Sequence, residues 1–161
     1  MPRLELLDDR HRAEVLRFEL ENREFFTRSI SDRGDDYFTG FDEGYAELLA
    51  DQAAGRVYFH VLTDDDASVL GRFNLYAVAD GTAEVGYRVA ERAGGRGLAK
   101  LGVRLLCARA RDDYGLKRLT AAASKDNPAS LAVLRATGFV PDGELVVGGR
   151  PGVQHHLDLP A

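Results

Sequence analysis

The chain has 161 residues, 45% of them hydrophobic, a formal net charge of -5 and one cysteine. That is enough apolar material for a single globular domain with its own core, and too few cysteines for an internal disulfide. No apolar run approaches membrane-spanning length and the opening MPRLELLDDRHR lacks a signal-peptide core, so a cytoplasmic setting without a membrane partner is expected; the acidic balance argues against nucleic acid.

Arg3–Leu7 reads as a short strand, and Asp8-Asp9 supply an N-cap and an acidic first turn for a helix over Arg10–Asn22 with Val15, Phe18 and Leu20 inward. Asn22-Arg23-Glu24-Phe25-Phe26 breaks that pattern. Asp35-Asp36 opens a second helix, in which Tyr37, Phe41, Tyr45 and Leu48 recur at helical spacing, and Gly55 ends it. Val57–Leu62, Val69–Val78 and Ala83–Val89 read as strands, with turns at Asp64-Asp65-Asp66 and at the hairpin pair Asp80-Gly81. The three aspartates have no metal-loop spacing and read as a solvated turn.

The next stretch is the most informative. Gly94-Gly95-Arg96-Gly97 puts three glycines in four positions at the mouth of a helix, leaving backbone N–H groups uncovered by any Cβ at the positive end of the helix dipole. In that helix Leu98, Leu101, Leu105 and Ala108 share one face, and Arg96, Lys100, Arg104 and Arg111 the other. Arg88 to Arg118 carries nine Arg/Lys against three Asp/Glu. Together these read as a seat for phosphates. GxxxxGK[ST] is absent, and the near match to GxGxxG at Gly95–Lys100 ends in lysine, past mid-chain, with no second βαβ half behind it.

Arg118–Ala123 is a further strand. Asn127 caps a short helix with Pro128 at its first position, over Ala129–Thr137, and Gly138 closes it. Two strands near Phe139–Val147 and Gln154–Leu159 flank a turn at Gly148–Gly152. The order β-αα-βββ-α-β-α-ββ implies one α/β domain over residues 1–161, a mixed sheet with helices on both faces. Charge is split along the chain: residues 1–66 hold 17 acids and 8 Lys/Arg, residues 67–161 hold 9 and 13. An anionic cofactor on the later half and a cationic amine near the earlier half suit that split.

The glycine turn resembles the [Q/R]xxGx[G/A] motif of the GNAT N-acetyltransferases, with Gly97 and Ala99 at its last two positions and Gly94 where Gln or Arg is usual. The resemblance extends over nearly the whole chain. It is closest to the ribosomal-protein-alanine N-acetyltransferase branch, through Asn22-Arg23-Glu24-Phe25, Ala83-Glu84-Val85-Gly86-Tyr87, Gly95-Arg96-Gly97-Leu98-Ala99, and Asn127-Pro128-Ala129-Ser130 followed by Thr137-Gly138-Phe139. It implies a mixed, mainly antiparallel sheet of about seven strands flanked by four helices. It also implies acetyl transfer from acetyl-CoA, with no metal, to a primary amine such as a protein N-terminus or a small amine, by direct attack.

By the same resemblance, backbone groups of Val89 pair with the pantetheine arm, and Tyr87 is a further cofactor-binding residue. N–H groups around Gly94, Gly95, Gly97, Leu98 and Ala99 hold the pyrophosphate with charge from Arg96 and Lys100, and Asn127 contacts the cofactor. The family's usual proton-donating tyrosine position is Leu134 here, which leaves Ser130 as the substitute acid. Glu84, on the donor strand, is the leading base, directly or through water. His60, His155 and His156 are the other bases, although two adjacent strand histidines face opposite sides. Cys107 has no activating base and reads as a small core residue. A non-catalytic CoA-binding sensor and a nucleotide-binding module are the competing readings, and pairing of C-terminal edge strands would make a homodimer.

Overall fold

The computed structural model describes residues 1–160. Strand β1 (Arg3–Leu6) leads through a one-turn 3-10 helix at Asp9–His11 into α1 (Arg12–Glu21), followed by α2 (Arg23–Phe26), α3 (Asp35–Thr39) and α4 (Phe41–Ala53). Strands β2 (Tyr58–Thr63), β3 (Val69–Ala79) and β4 (Thr82–Val89) precede α5 (Leu98–Asp112). Then come β5 (Arg118–Ser124), α6 (Pro128–Ala136), β6 (Val140–Val147) and β7 (Arg150–Asp158). The seven strands form one sheet in the order β1-β2-β3-β4-β5-β7-β6, antiparallel throughout except between β4 and β5. Among the described residues no helix is long and apolar enough to cross a membrane.

The expected order of elements is present, with local differences that have physical causes. The second expected helix is two, α3 and α4, because Gly40 interrupts it with non-helical φ -97° and ψ 24°. The stretch that breaks the first helix winds one further turn, α2. Leu20, expected inward, is 52% exposed; α1 instead buries Val15, Phe18 and Glu19. The C-terminal turn is shorter than expected, since Val147 pairs with Arg150 around Gly148 and Gly149, both at positive φ. Two successive left-handed residues match the twist of a tight hairpin.

The core lies on both faces of the sheet. Central β3 buries its first seven residues, Val69 to Leu75, whereas edge strand β6 is almost wholly exposed. Pro141, Asp142 and Glu144 on that edge discourage pairing with another strand. Helix α5 crosses β3 closely at Gly102, where a Cβ would collide with the Phe73 ring. Phe73 is fully buried there, which stabilises the fold by about 1.5–3 kcal/mol. The buried stripe of α5 is Leu98, Gly102, Val103, Leu106 and Ala110. Leu101, Leu105 and Ala108, expected on the core face, are only half-buried, because Gly102 turns the closest-approach line to its own side.

On the opposite face β3 is covered by α1, and it is there that the polar strand residues Arg72 and Asn74 are buried. The two faces therefore differ in chemistry: largely apolar under α5, where His60 is buried beside Phe73, and salt-bridged under α1.

Candidate active site

The site begins where β4 and β5 part. Their parallel pairing covers only Thr82↔Arg118, Ala83↔Leu119 and Glu84↔Thr120. Beyond it β4 stays on β3 and β5 stays on β7. The gap opens into a cavity of about 360 Å³ reached by side chains from both faces of the sheet.

The edge of β4 facing this gap is unsatisfied by strand pairing. The Ala90 N–H donates to the Leu70 carbonyl at 2.8 Å, and β4 pairs with β3 without a register break from Val89 to Glu84. In an antiparallel ladder alternate residues bond the same neighbour. Arg88 and Ala90 thus face β3, while the backbone N–H and C=O of Tyr87 and Val89 face the gap, past the last β5 pair. An extended ligand can lie there as an added strand.

At the end of that edge the chain turns into α5. Gly95 and Gly97 adopt φ +75° and +71°, and a Cβ at either would meet no atom within 4 Å. Gly97 is the N-cap of α5 and no side chain caps the helix, so its first N–H groups are left to an outside acceptor. Gly94, Arg96 and Lys100 are exposed beside it, Leu98 is buried and Ala99 lines the cavity. Glycine at 97 suits the left-handed cap and leaves the backbone N–H groups beside it uncovered by a Cβ.

Side chains on β4 alternate between the faces. Tyr87 points to the α5–α6 side, stacked on Phe73 with ring centroids 5.7 Å apart, and its hydroxyl lies 3.0 Å from Ser130 Oγ. Burial pushes the Tyr87 phenol up, against a smaller downward pull from Ser130, so it is a protonated donor at neutral pH. Asn127 Oδ1 accepts from the Ser130 N–H at 3.2 Å, which fixes Ser130 in the first turn of α6. All three line the cavity. The sequence singled out Ser130 and Asn127, but not the hydroxyl pair; the strand alternation placing Tyr87 with Val85 and Val89 was its only signal.

Arg88 points the other way. Its Nη1 donates to Glu19 Oε1 at 3.1 Å, beside bonds to Glu19 from Arg72 Nη1 at 2.8 Å and from Arg33 at 2.9 and 3.1 Å. Burial alone would raise the Glu19 carboxyl, but the hydrogen bond from Arg33 and the charges of Arg72, Arg33 and Arg88 hold it below the usual range. This cluster joins residues 14, 53 and 69 positions apart, and no sequence spacing announces it.

Other expected residues lie elsewhere. Glu84 is solvent-exposed, at the last β4–β5 pair and outside the cavity lining. His60 is buried between the Phe73 carbonyl (3.0 Å) and the Tyr114 hydroxyl (2.6 Å). His155 is buried against the Val153 carbonyl and His156 meets Asp142 at 2.6 Å, so the pair does face opposite sides. None of these histidines lines the cavity. Cys107 is half-buried and burial pushes its thiol up to about 11, which leaves no thiolate for nucleophilic work. The acids of the N-terminal half, expected near a cationic amine, do not reach the cavity wall either: Arg88 is its one formally charged residue.

Comparison with known proteins agrees with this architecture. Residues 4–140 match the family described as acetyltransferase (GNAT) domain. The probable N-acetyltransferase YjcK of Bacillus subtilis (strain 168) is 29% identical over 138 residues, covering 81% of this chain and 75% of that protein. The ribosomal-protein-S5-alanine acetyltransferase of Vibrio fischeri superposes with a TM-score of 0.90 at 19% identity, over 98% of this chain and 93% of that one. RimJ of Mycobacterium smegmatis, solved in complex with CoA-disulfide, superposes with a TM-score of 0.86 at 22% identity, over 98% and 81%. With a parted β4–β5 pair, a glycine-capped helix beside it and a family match over most of its length, the chain belongs to the GNAT acetyltransferases.

Proposed function

We propose that this acetyltransferase moves the acetyl group of acetyl-CoA onto a primary amine, of a protein N-terminus or a small molecule, in the cavity between β4 and β5. The carrying observation is a convergence. The open backbone edge of Tyr87 and Val89 and the Tyr87–Ser130 hydroxyl pair border one space, whose wall also takes in Ala99 in the first turn of α5, two residues past the uncapped Gly97.

The residues present fit the donor. A pantetheine arm carries amides that match the free N–H and C=O groups of β4, and a pyrophosphate matches the N–H groups from Gly95 to Lys100, with Arg96 and Lys100 adding positive charge. Asn127 both caps α6 and borders the cavity, so it can serve the cofactor without leaving its structural bond. When bound, acetyl-CoA supplies a thioester carbonyl open to attack and a thiolate leaving group.

Ser130 Oγ is the proton donor on the α6 side, and Tyr87, kept protonated by burial, orients it and replenishes its proton. No carboxylate or histidine lines the wall. The amine therefore enters neutral or gives up its proton to water, and any proton reaching exposed Glu84 travels through water.

Thermal unfolding with CoA or acetyl-CoA tests donor binding: a ligand at about 100 times its dissociation constant adds roughly 2.7 kcal/mol. ATP and NAD should add little, and equal stabilisation by ATP would sink the thioester reading. Release of CoA thiol from acetyl-CoA with a panel of amines and peptides then tests turnover.

A further inference from the structure

The wall of the cavity is uneven in charge as well as in shape. On the α2 side it is Phe25, Phe26 and Ile30, with Ser29 and Arg88 as the polar members. A polycation brings several charges that must each be paired when taken out of water, so an acetyltransferase for polycations would need carboxylates at its acceptor. Here none of the lining residues is acidic, and the one charge is positive.

That positive charge is not cancelled behind the wall. Glu19, 1% exposed, is the one carboxylate among Arg33, Arg72 and Arg88. Its two oxygens accept four hydrogen bonds, the whole capacity of a carboxylate. Three guanidiniums thus share one anion that can take no more. Nearby Asp32 and Asp35 are engaged by Arg23, and Glu91 by Arg28. Arg88 gives Glu19 a single bond from Nη1 while its guanidinium lies 4.7 Å over the Phe26 ring; its Nε and Nη2 have no hydrogen-bond partner among the described residues. Burial, together with the charge of Arg33, disfavours the Arg88 cation as it stands. A second anion arriving from the cavity would relieve it.

The face matters too. Tyr87, Ser130 and the start of α5 take the donor from the α5–α6 side, so Arg88 belongs to the side left for the acceptor. We infer that Arg88 reads the acceptor, and that the acceptors of this enzyme are primary amines bearing a side-chain carboxylate rather than polyamines. The inference rests on the acetyl-transfer reading of the same cavity. Its chemistry is shared by two sources: a free acidic amino acid, and a peptide with an acidic residue behind its N-terminal amine.

The parent protein decides between them with matched acceptors in the CoA-release assay: L-glutamate against L-glutamine, Ala-Glu-Ala-amide against Ala-Gln-Ala-amide and Ala-Lys-Ala-amide, and spermidine. A charge-assisted hydrogen bond should raise kcat/KM for the acidic member on the order of tenfold or more, through KM. The arm that shows the ratio names the source. Arg88→Gln should collapse that ratio, and Arg88→Lys, which keeps the charge but loses the planar fork, should retain part of it at a raised KM. Circular dichroism and CoA affinity of both variants separate loss of acceptor reading from loss of fold. Equal kcat/KM within both pairs, or faster turnover of the lysine peptide or spermidine, would overturn the inference while leaving acetyl transfer intact. CoA binding with no transfer to any acceptor would overturn the acetyl-transfer reading, and this one with it.

Discussion

Tyr87 on β4 and Ser130 on α6 are joined hydroxyl to hydroxyl at 3.0 Å, across the mouth of the opening where β4 leaves β5. A half-buried phenol and a capped serine form a short proton-holding pair in a wall that is otherwise nearly free of titratable groups. Ser130→Ala should lower turnover by about 100-fold or less, the low end for general acid catalysis at a site open to water. Tyr87→Phe keeps the ring on Phe73 and removes only the hydroxyl, so its loss should be the smaller. CoA affinity measured by calorimetry should stay near the parent value for Ser130→Ala. Because burial raises the phenol, rate should climb with pH as free amine accumulates, with no fall at the ordinary tyrosine value of about 10. Parent-like rates in both variants would hand proton delivery to water.

Gly97 separates backbone strain from ligand exclusion. At φ +71°, with no neighbour within 4 Å of its missing Cβ, the protein itself leaves room for a side chain. Gly97→Asn adopts the left-handed conformation readily. Gly97→Val does not, and should lower the melting temperature by about 2–8 °C for a strain of about 1–2 kcal/mol. Both side chains would stand where phosphate oxygens must approach N–H groups, so both should lose CoA binding by calorimetry. Full affinity in a folded Gly97→Asn would put the anion elsewhere.

Much of this was legible in the sequence, because it is written locally. Alternation gave the strands, Asn127-Pro128 gave the start of α6, and the glycines of 94–97 gave the helix mouth without any tertiary information. What was not legible depends on residues that meet only after folding. Charged Glu19 takes an inward position on α1 that hydrophobic periodicity gave to Leu20, because arginines from β3, β4 and the loop before α3 wait for it. The buried line of α5 is set by the Phe73 ring against Gly102 rather than by the larger leucines beside it. Tyr87 could be placed on its strand, but its partner in α6 lies 43 residues away.

The Glu19 cluster should govern stability in acid. Its carboxyl is held low in the folded protein, so it contributes stability that is complete above the unfolded glutamate value of about 4.3 and is lost as pH falls through the depressed folded value. Glu19→Gln leaves three guanidiniums without their anion and should cost about 3–5 kcal/mol. Urea unfolding at neutral pH measures the loss. The double variant Glu19→Met/Arg72→Met, which replaces the most buried pair by apolar chains, should recover part of it. A Glu19→Gln protein as stable as the parent would show that the cluster stores no net stabilisation.

His60 should control stability in a different, milder pH window. It is fully buried, and its partners fix the neutral tautomer: the Phe73 carbonyl can only accept, so Nδ1 carries the proton and Nε2 accepts from the Tyr114 hydroxyl. Burial pushes its pKa down to about 4. The unfolded chain takes up a proton near pH 6.5 while the folded protein stays neutral, so stability is complete above that value and falls as pH drops towards the folded one. At about 1.4 kcal/mol per pH unit, the parent should lose roughly 2 kcal/mol between pH 6.5 and pH 5 from this group. Glutamate is almost wholly ionised over that range in either state, so the loss there belongs to His60, and the Glu19 effect sets in only below about pH 5. His60→Gln cannot protonate there. It should be less stable than the parent at pH 7, yet show a flatter dependence of its urea midpoint between pH 7 and pH 5. Acetyl transfer at pH 7 should persist in the folded variant, since His60 does not line the cavity. A slope as steep as the parent's would assign the acid sensitivity to another group.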